Sequence, residues 1–302
     1  MEDDTSKQGT FVNNLKVAIG AATGALFSET LCYPLDTINT WVKTWPDNSR
    51  IHQIVKHNYK KDGIRAFYNG VNTQFYVTFI PAFFYFLSYE ITNMYARKIL
   101  EKTKEEKWSK YTPMVTATVS EFASLLILVP MDALKKRYQI NSDSYQYKSV
   151  RHGLSDMIKK EGYLRLFKAS PLYLINLTVF NTLLFQSYET LRIDQMKKER
   201  KENKDLTILD SVKNSLKATL FATILTNPMD VIITKYQVID SSVSKLSVRS
   251  LLVDVYKRDG IKGLNRGVTI KCFYRAVDTC IYLPIYEELR KRYGYDFARS
   301  TD

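Results

Sequence analysis

Residues 129–139 read VPMDALKKRYQ, and the same pattern stands twice more in the chain: Pro34-Leu-Asp36 leads into TINTWVK, and Pro228-Met-Asp230 leads into VIITKYQ. From Asp36 to Asp132 is 96 residues and from Asp132 to Asp230 is 98. A fixed period of this kind marks one unit copied three times, so the architecture has to be read from the repeat. Two further landmarks keep the period. Tyr89-Glu90, Tyr188-Glu189 and Tyr286-Glu287 close apolar stretches, and Asp62-Gly63, Glu161-Gly162 and Asp259-Gly260 fall between the other two in every copy.

At 302 residues with 25% charged side chains, composition alone reads as two soluble domains. Local patterning overrules it. Residues 71–89 and 169–188 carry no charge and have the length of a bilayer-spanning helix, roughly 20 residues. They stand as the strongest spans. The stretches before each Pro-x-Asp, 17–28, 122–131 and 218–229, are weaker because Glu29, Glu121 and Lys217 lie beside them. Isolated charges in a span face a bundle interior or a water-filled cavity. Two spans per copy make six, the odd ones more polar on one face. A run holding Phe75, Phe79, Phe83, Phe84 and Phe86 is too apolar all round for a half-exposed soluble helix.

The net charge of +13 lies in the connections. Lys56, Lys60, Lys61 and Arg65, then Lys159, Lys160, Arg165 and Lys168, then Lys257, Arg258, Lys262 and Arg266 crowd the loop after each Pro-x-Asp. Such clusters beside spans suit anionic lipid head groups. No recognition motif or separate basic domain speaks for nucleic acid. Residues 97–110 and 192–204 are lysine-rich as well, so charge does not orient the spans. The N-terminal MEDDTSKQGT is neither a secretory signal nor an Arg-rich transit peptide, so targeting information is expected to be internal. Cys32, Cys272 and Cys280 have no redox or metal spacing, and His52, His57 and His152 have no ligand partners at useful spacing. No metal, no cofactor and no enzymatic residue set are expected.

With these landmarks the chain resembles the mitochondrial carrier family over nearly its whole length. Pro130, Asp132, Lys135, Arg137 and Gln139 match the family's odd-helix motif, and Tyr188, Glu189 and Arg192, like Tyr286, Glu287 and Arg290, match its even-helix motif. The resemblance implies an all-α membrane protein of the mitochondrial inner membrane: six transmembrane helices in three pseudo-threefold repeats, each with a short matrix helix. The repeats are expected at 11–107, 108–204 and 205–296, between tails at 1–10 and 297–302. It also implies a matrix gate, Pro34, Asp36, Asn39, Pro130, Asp132, Lys135, Gln139, Pro228, Asp230 and Gln237, and a cytoplasmic gate, Tyr89, Glu90, Tyr188, Glu189, Arg192, Tyr286, Glu287 and Arg290. Proline at the helix end interrupts the hydrogen-bond ladder and bends three helices toward one pole. Paired charges there can hold a gate shut, and a second ring at the other pole allows alternating access.

The copies depart from the motif. Asn39 and Trp41 replace both basic positions of the first, Lys43 replaces its glutamine, and Ile233 replaces a basic residue of the third. The family's cyclic pairing then leaves Asp36 with Lys135 alone on the matrix side, with Asp132 facing Ile233 and Asp230 facing Asn39. With Asn93 in place of a basic residue, the cytoplasmic side keeps Glu90 with Arg192 and Glu189 with Arg290. A stronger cytoplasmic gate and a matrix-open preference are expected. Gly20 and Gly24 give the first helix a close-packing face, whereas Thr116, Ser120, Ser124, Ala218 and Ala222 stand where the family usually has glycine.

The family's central site lies about three turns before Tyr-Glu, at Val77/Thr78, Asn176/Leu177 and Tyr274/Arg275. A guanidinium there can grip carboxylate or phosphate bidentately, although Asp278 at i+3 can also simply neutralise Arg275. Glu29, five residues before Pro34, favours a cationic or zwitterionic group or packs with a lysine. An anionic or amino-acid-like metabolite is the expected cargo. The other function open at this point is a transport-inactive structural subunit of a larger inner-membrane complex, and cardiolipin is the expected lipid partner at the matrix-side loops.

Overall fold

The computed structural model describes residues 2–46, 49–103, 112–140, 145, 147–199, 207–239 and 247–293. Apart from turns and connections those residues are helical, without strands among them. The long helices are α1 (Glu2–Leu31), α4 (Gln74–Thr103), α5 (Thr112–Ile140), α8 (Ser170–Glu199), α9 (Ile208–Val238) and α11 (Val268–Tyr293). Each has 26 to 31 residues, more than the roughly 20 that a bilayer requires. They close a ring in the order α1, α4, α5, α8, α9, α11 and back to α1.

Proline acts differently in the three copies. At Pro34 the first odd helix is split at Cys32, and α2 (Tyr33–Thr44) starts afresh. Pro130 and Pro228 sit inside the unbroken α5 and α9. After each odd helix comes a short one: α3 (Ile51–Asp62), α6 (Val150–Glu161) and α10 (Val248–Leu264). α7 (Tyr163–Leu166) is a single turn after α6. The acidic-Gly landmark is the exit from α3 and α6, and in the third copy it is a kink inside α10. Gly63, Gly162 and Gly260 have φ of 65°, 82° and 61°, a region costly for residues with a Cβ. A Cβ on any of them would meet nothing, so the demand is on the backbone alone.

The apolar core lies at the Pro-x-Asp pole in three clusters, one for each short helix. Trp41, Val42, Ile54 and Ala66 form one, Ala133, Leu134, Met157 and Leu166 the second, and Ala169, Ile232, Tyr236, Leu251 and Val255 the third. Outward-facing Phe27, Phe122, Phe185, Phe221 and Phe273 are exposed, as a lipid-facing surface requires. Gly20 and Gly24 let α1 close on α11: a Cβ would stand 3.0 Å from Leu289 and 2.9 Å from Ile285. Thr116, Ser120, Ser124, Ala218 and Ala222 are buried.

Two expectations about the spans change. Among the described residues, the stretches long and apolar enough to cross a membrane are Ile51–Ala96, Val115–Ile140 and Leu209–Val238, so two odd helices outrank 169–188. The latter is uncharged, but Asn176, Thr178, Asn181, Thr182 and Gln186 make it polar. Lys217 is exposed rather than turned to the interior.

Candidate functional site

The long helices enclose a cavity of about 700 Å³. At one end it is floored by Asp36, Asp132 and Asp230, and toward the other it reaches Tyr85, Tyr282 and Tyr286. The floor is an interlocked ring. Asp36 takes Lys135 at 2.7 Å and the side-chain amide of Gln139 at 2.9 Å. Asp132 takes Lys136 of its own helix at 2.9 Å and Gln237 at 3.1 Å. Asp230 takes Lys43, and Lys271 at 3.0 Å.

One contact recurs in all three copies, and two more recur in the first two. The residue nine places after each proline, Lys43, Gln139 or Gln237, reaches the Asp of the preceding copy. The residue seven places after braces the carbonyl of the following copy: Trp41 donates its indole N–H to Gln139 O at 2.6 Å, as Arg137 Nε does to Gln237 O at 2.9 Å. The residue six places after donates to that copy's glutamine side chain, Thr40 to Gln139 at 2.8 Å and Lys136 to Gln237 at 2.7 Å. The expectation that only Asp36 keeps an ion pair is thus corrected. Lysine's long stem lets Lys43 replace a glutamine as both brace and counter-ion, and Lys136, just outside the motif, serves Asp132. Asn39 does not pair with Asp230, and its side-chain oxygen has no partner.

The Tyr-Glu pole is built differently. Arg192 pairs at 3.0 Å with Glu189 of its own helix, and among the described residues Glu90 is in no ion pair. The Glu287 and Arg290 side chains lie outside the described residues. Tyr85 stacks on Tyr89 and Tyr282 on Tyr286, with ring centroids 6.3 and 6.0 Å apart. Tyr188 lies on the same turn of α8 as Glu189. Among the described residues the interhelical ion pairs belong to the Pro-x-Asp pole, and the expected pair of Glu90 with Arg192 is not formed; the expected pair of Glu189 with Arg290 lies outside them.

Of the expected central residues, Val77, Thr78, Leu177, Tyr274, Arg275 and Glu29 line the cavity, whereas Asn176 does not and leaves its side-chain oxygen buried without a partner. Glu29 accepts from the side chains of Gln74 and Thr78. Arg275 lies against Phe180 and Tyr274, 5.6 and 5.4 Å from their ring centroids. Its Nη1 is 3.7 Å from Asp278, beyond hydrogen-bond range, and its Nε has no partner. Asp278 instead accepts the hydroxyl of Ser28, so Arg275 is incompletely neutralised. Gln74, Lys271 and Tyr173 also line the cavity and were missed. Gln74 and Tyr173 are the positions equivalent to Lys271 under the repeat, so applying the period one turn below the central residues finds all three.

The threefold ring, the short helix of each copy and the central cavity coincide with a family match over residues 11–99, 107–199 and 204–297 to the mitochondrial carrier protein family. The chain is a mitochondrial carrier. Across 98% of its length it is 25% identical to mitochondrial thiamine pyrophosphate carrier 1 of Saccharomyces cerevisiae, 97% of which is covered. It is also 25% identical to the mitochondrial S-adenosylmethionine carrier protein of Xenopus tropicalis, over 90% of this chain and 94% of that one. An uncharacterized mitochondrial carrier of Schizosaccharomyces pombe is 22% identical over 92% of this chain. The carrier is an inner-membrane protein that moves a small metabolite and is not an enzyme.

Proposed function

We propose that this carrier moves a small anionic or amino-acid-like metabolite by alternating access, with the Pro-x-Asp pole as the matrix gate and the Tyr-Glu pole as the cytoplasmic one. The observation that carries the reading is Arg275, a guanidinium in the cavity with an unpartnered Nε and a loosely held counter-ion. A buried donor without a partner is costly, and an incoming carboxylate or phosphate removes that cost. Across the cavity Glu29 and the unpartnered carbonyl oxygen of Gln74 offer acceptors to a protonated amine or similar donor. Thiamine pyrophosphate and S-adenosylmethionine, named for two relatives, each combine anionic and cationic groups.

The basic loops fit cardiolipin in the same proposal, less the cations that the protein itself engages: Lys160 pairs with Asp156 at 2.9 Å and Arg258 with Asp259 at 3.2 Å. Arg165 is held by Glu161 at 3.4 Å, and Arg266 donates to Trp45 O at 3.0 Å. The structural-subunit reading loses its main premise, because Trp41 and Lys43 perform in the first copy what Arg137 and the glutamines perform elsewhere.

The test is uptake into proteoliposomes from a panel of phosphorylated, carboxylated and amino-acid-like solutes that includes thiamine pyrophosphate and S-adenosylmethionine. One or more is transported, and Arg275→Ala loses that transport by about 100-fold while the protein remains folded, the expected scale for two charge-assisted hydrogen bonds. Undiminished transport by Arg275→Ala sinks the reading.

A further inference from the structure

Lys271 occupies two sites at once. Its Nζ stands 3.0 Å from the Asp230 carboxylate, which Lys43 already holds. One carboxylate thus carries two buried ammonium groups, and that trio keeps a net positive charge. The second lysine is surplus to neutralising Asp230, and the two cations repel each other. Lys271 also lies four residues before Arg275 on α11, a spacing that places both on one helix face about 6 Å apart. Both line the cavity. The positions equivalent to Lys271 in the other copies, Gln74 and Tyr173, are uncharged, so only the third copy sets two cations one turn apart along the cavity wall.

We infer that Lys271 exchanges partners during transport: it sits on Asp230 when the cavity is empty and turns to the anionic part of the solute once Arg275 has gripped it, leaving Asp230 to Lys43. This rests on the proposed anion site at Arg275. The ligand class it selects is an anion whose charged oxygens span one helical turn, of which a diphosphate is the simplest. The exchange makes physical sense at this corner alone. Removing a sole counter-ion strands a buried charge, whereas removing one of two does not. Among the described residues Lys135 is the one lysine at ion-pair distance from Asp36, and it has no such freedom. Solute binding would weaken the corner between the third and first copies first, so the gate opens there before the other corners.

The test uses the full-length carrier in detergent, with inorganic diphosphate as the probe and inorganic phosphate as the single-group comparison, read as the rise in thermal unfolding midpoint with ligand concentration. The parent protein responds to diphosphate more strongly than to phosphate, and Arg275→Gln loses the response. In Lys271→Gln the half-saturating diphosphate rises about tenfold, the loss of one charge-assisted hydrogen bond, and in Lys43→Gln it rises as well, because Lys271 is then the sole counter-ion of Asp230 and leaving it strands a buried charge. Asp230→Asn frees Lys271 from its competing partner, so half-saturation falls by about fivefold, in the range of ordinary coupling energies. That gain is absent in Asp230→Asn/Lys271→Gln. Unchanged half-saturation in Lys271→Gln, with the response lost in Arg275→Gln, overturns the exchange and leaves the Arg275 reading standing. No response in the parent overturns both. An equal gain in the single and double Asp230 variants also overturns the exchange. If Asp230→Asn does not fold, the Lys271→Gln comparison still decides.

Discussion

The two poles of the carrier are made from the same number of charged motifs and are held in different ways. At the Pro-x-Asp pole each Asp side chain is only 10 to 20% exposed, lies beside a lysine and is braced from the neighbouring copy, at distances of 2.7 to 3.1 Å where the contacts are of ordinary length. At the Tyr-Glu pole the ion pair of the second copy runs along its own helix, with Glu189 half exposed. An exposed pair on one helix is worth roughly 0–1 kcal/mol. A buried pair between helices fixes their separation, and breaking it leaves a stranded charge. Counting motif residues treats the poles as equals. Burial and the choice of partner make them unequal, and the structure is the form shut at the Pro-x-Asp end.

The comparison can be broken first at its strongest point. Lys135→Ala leaves the largely enclosed Asp36 with only an amide partner and lowers stability by about 3 kcal/mol in thermal or chemical unfolding in detergent. A loss below that of an exposed pair would remove the distinction between the poles. Next in size is Asn39→Lys, which restores the family motif on paper but adds a third lysine to Asp230, already held by Lys43 and Lys271. It destabilises by about 2 kcal/mol, the cost of an uncompensated buried charge. Ile233→Lys gives Asp132 a counter-ion from a neighbouring helix, and its net cost stays under about 1 kcal/mol because lost burial is offset by the new pair. A larger loss at 233 than at 39 would show that these corners do not differ in spare charge. Gln139→Ala removes a brace and costs about 1 kcal/mol. Smallest is Glu90→Gln, which changes stability by no more than about 0.5 kcal/mol, because among the described residues Glu90 is in no ion pair. A drop comparable to that of Lys135→Ala would mean that the Tyr-Glu pole also binds helices together.

Much of the site was legible because it is periodic. Thr78, Leu177, Tyr274 and Arg275 came from counting back along each even helix, and a helix turns that count into a direction. Asn176 failed because a choice between two adjacent residues is a difference of about 100° around the helix, which only packing resolves. Lys136 and Lys271 were not found because they lie outside the motif, and a long flexible side chain brings a charge to a partner that backbone position does not name.

The sequence by itself determined the threefold plan, the six long helices and the family. Each of these follows from local chemistry repeated at a fixed spacing: apolar runs, Pro-x-Asp and Tyr-Glu. Only the tertiary structure decided which cation serves which carboxylate. Trp41 and Lys43 look like losses when matched to a motif by residue type. In space the ring needs a donor to a carbonyl and a charge within reach of Asp230, and an indole N–H and a lysine on a long stem satisfy those needs as well as the usual residues do.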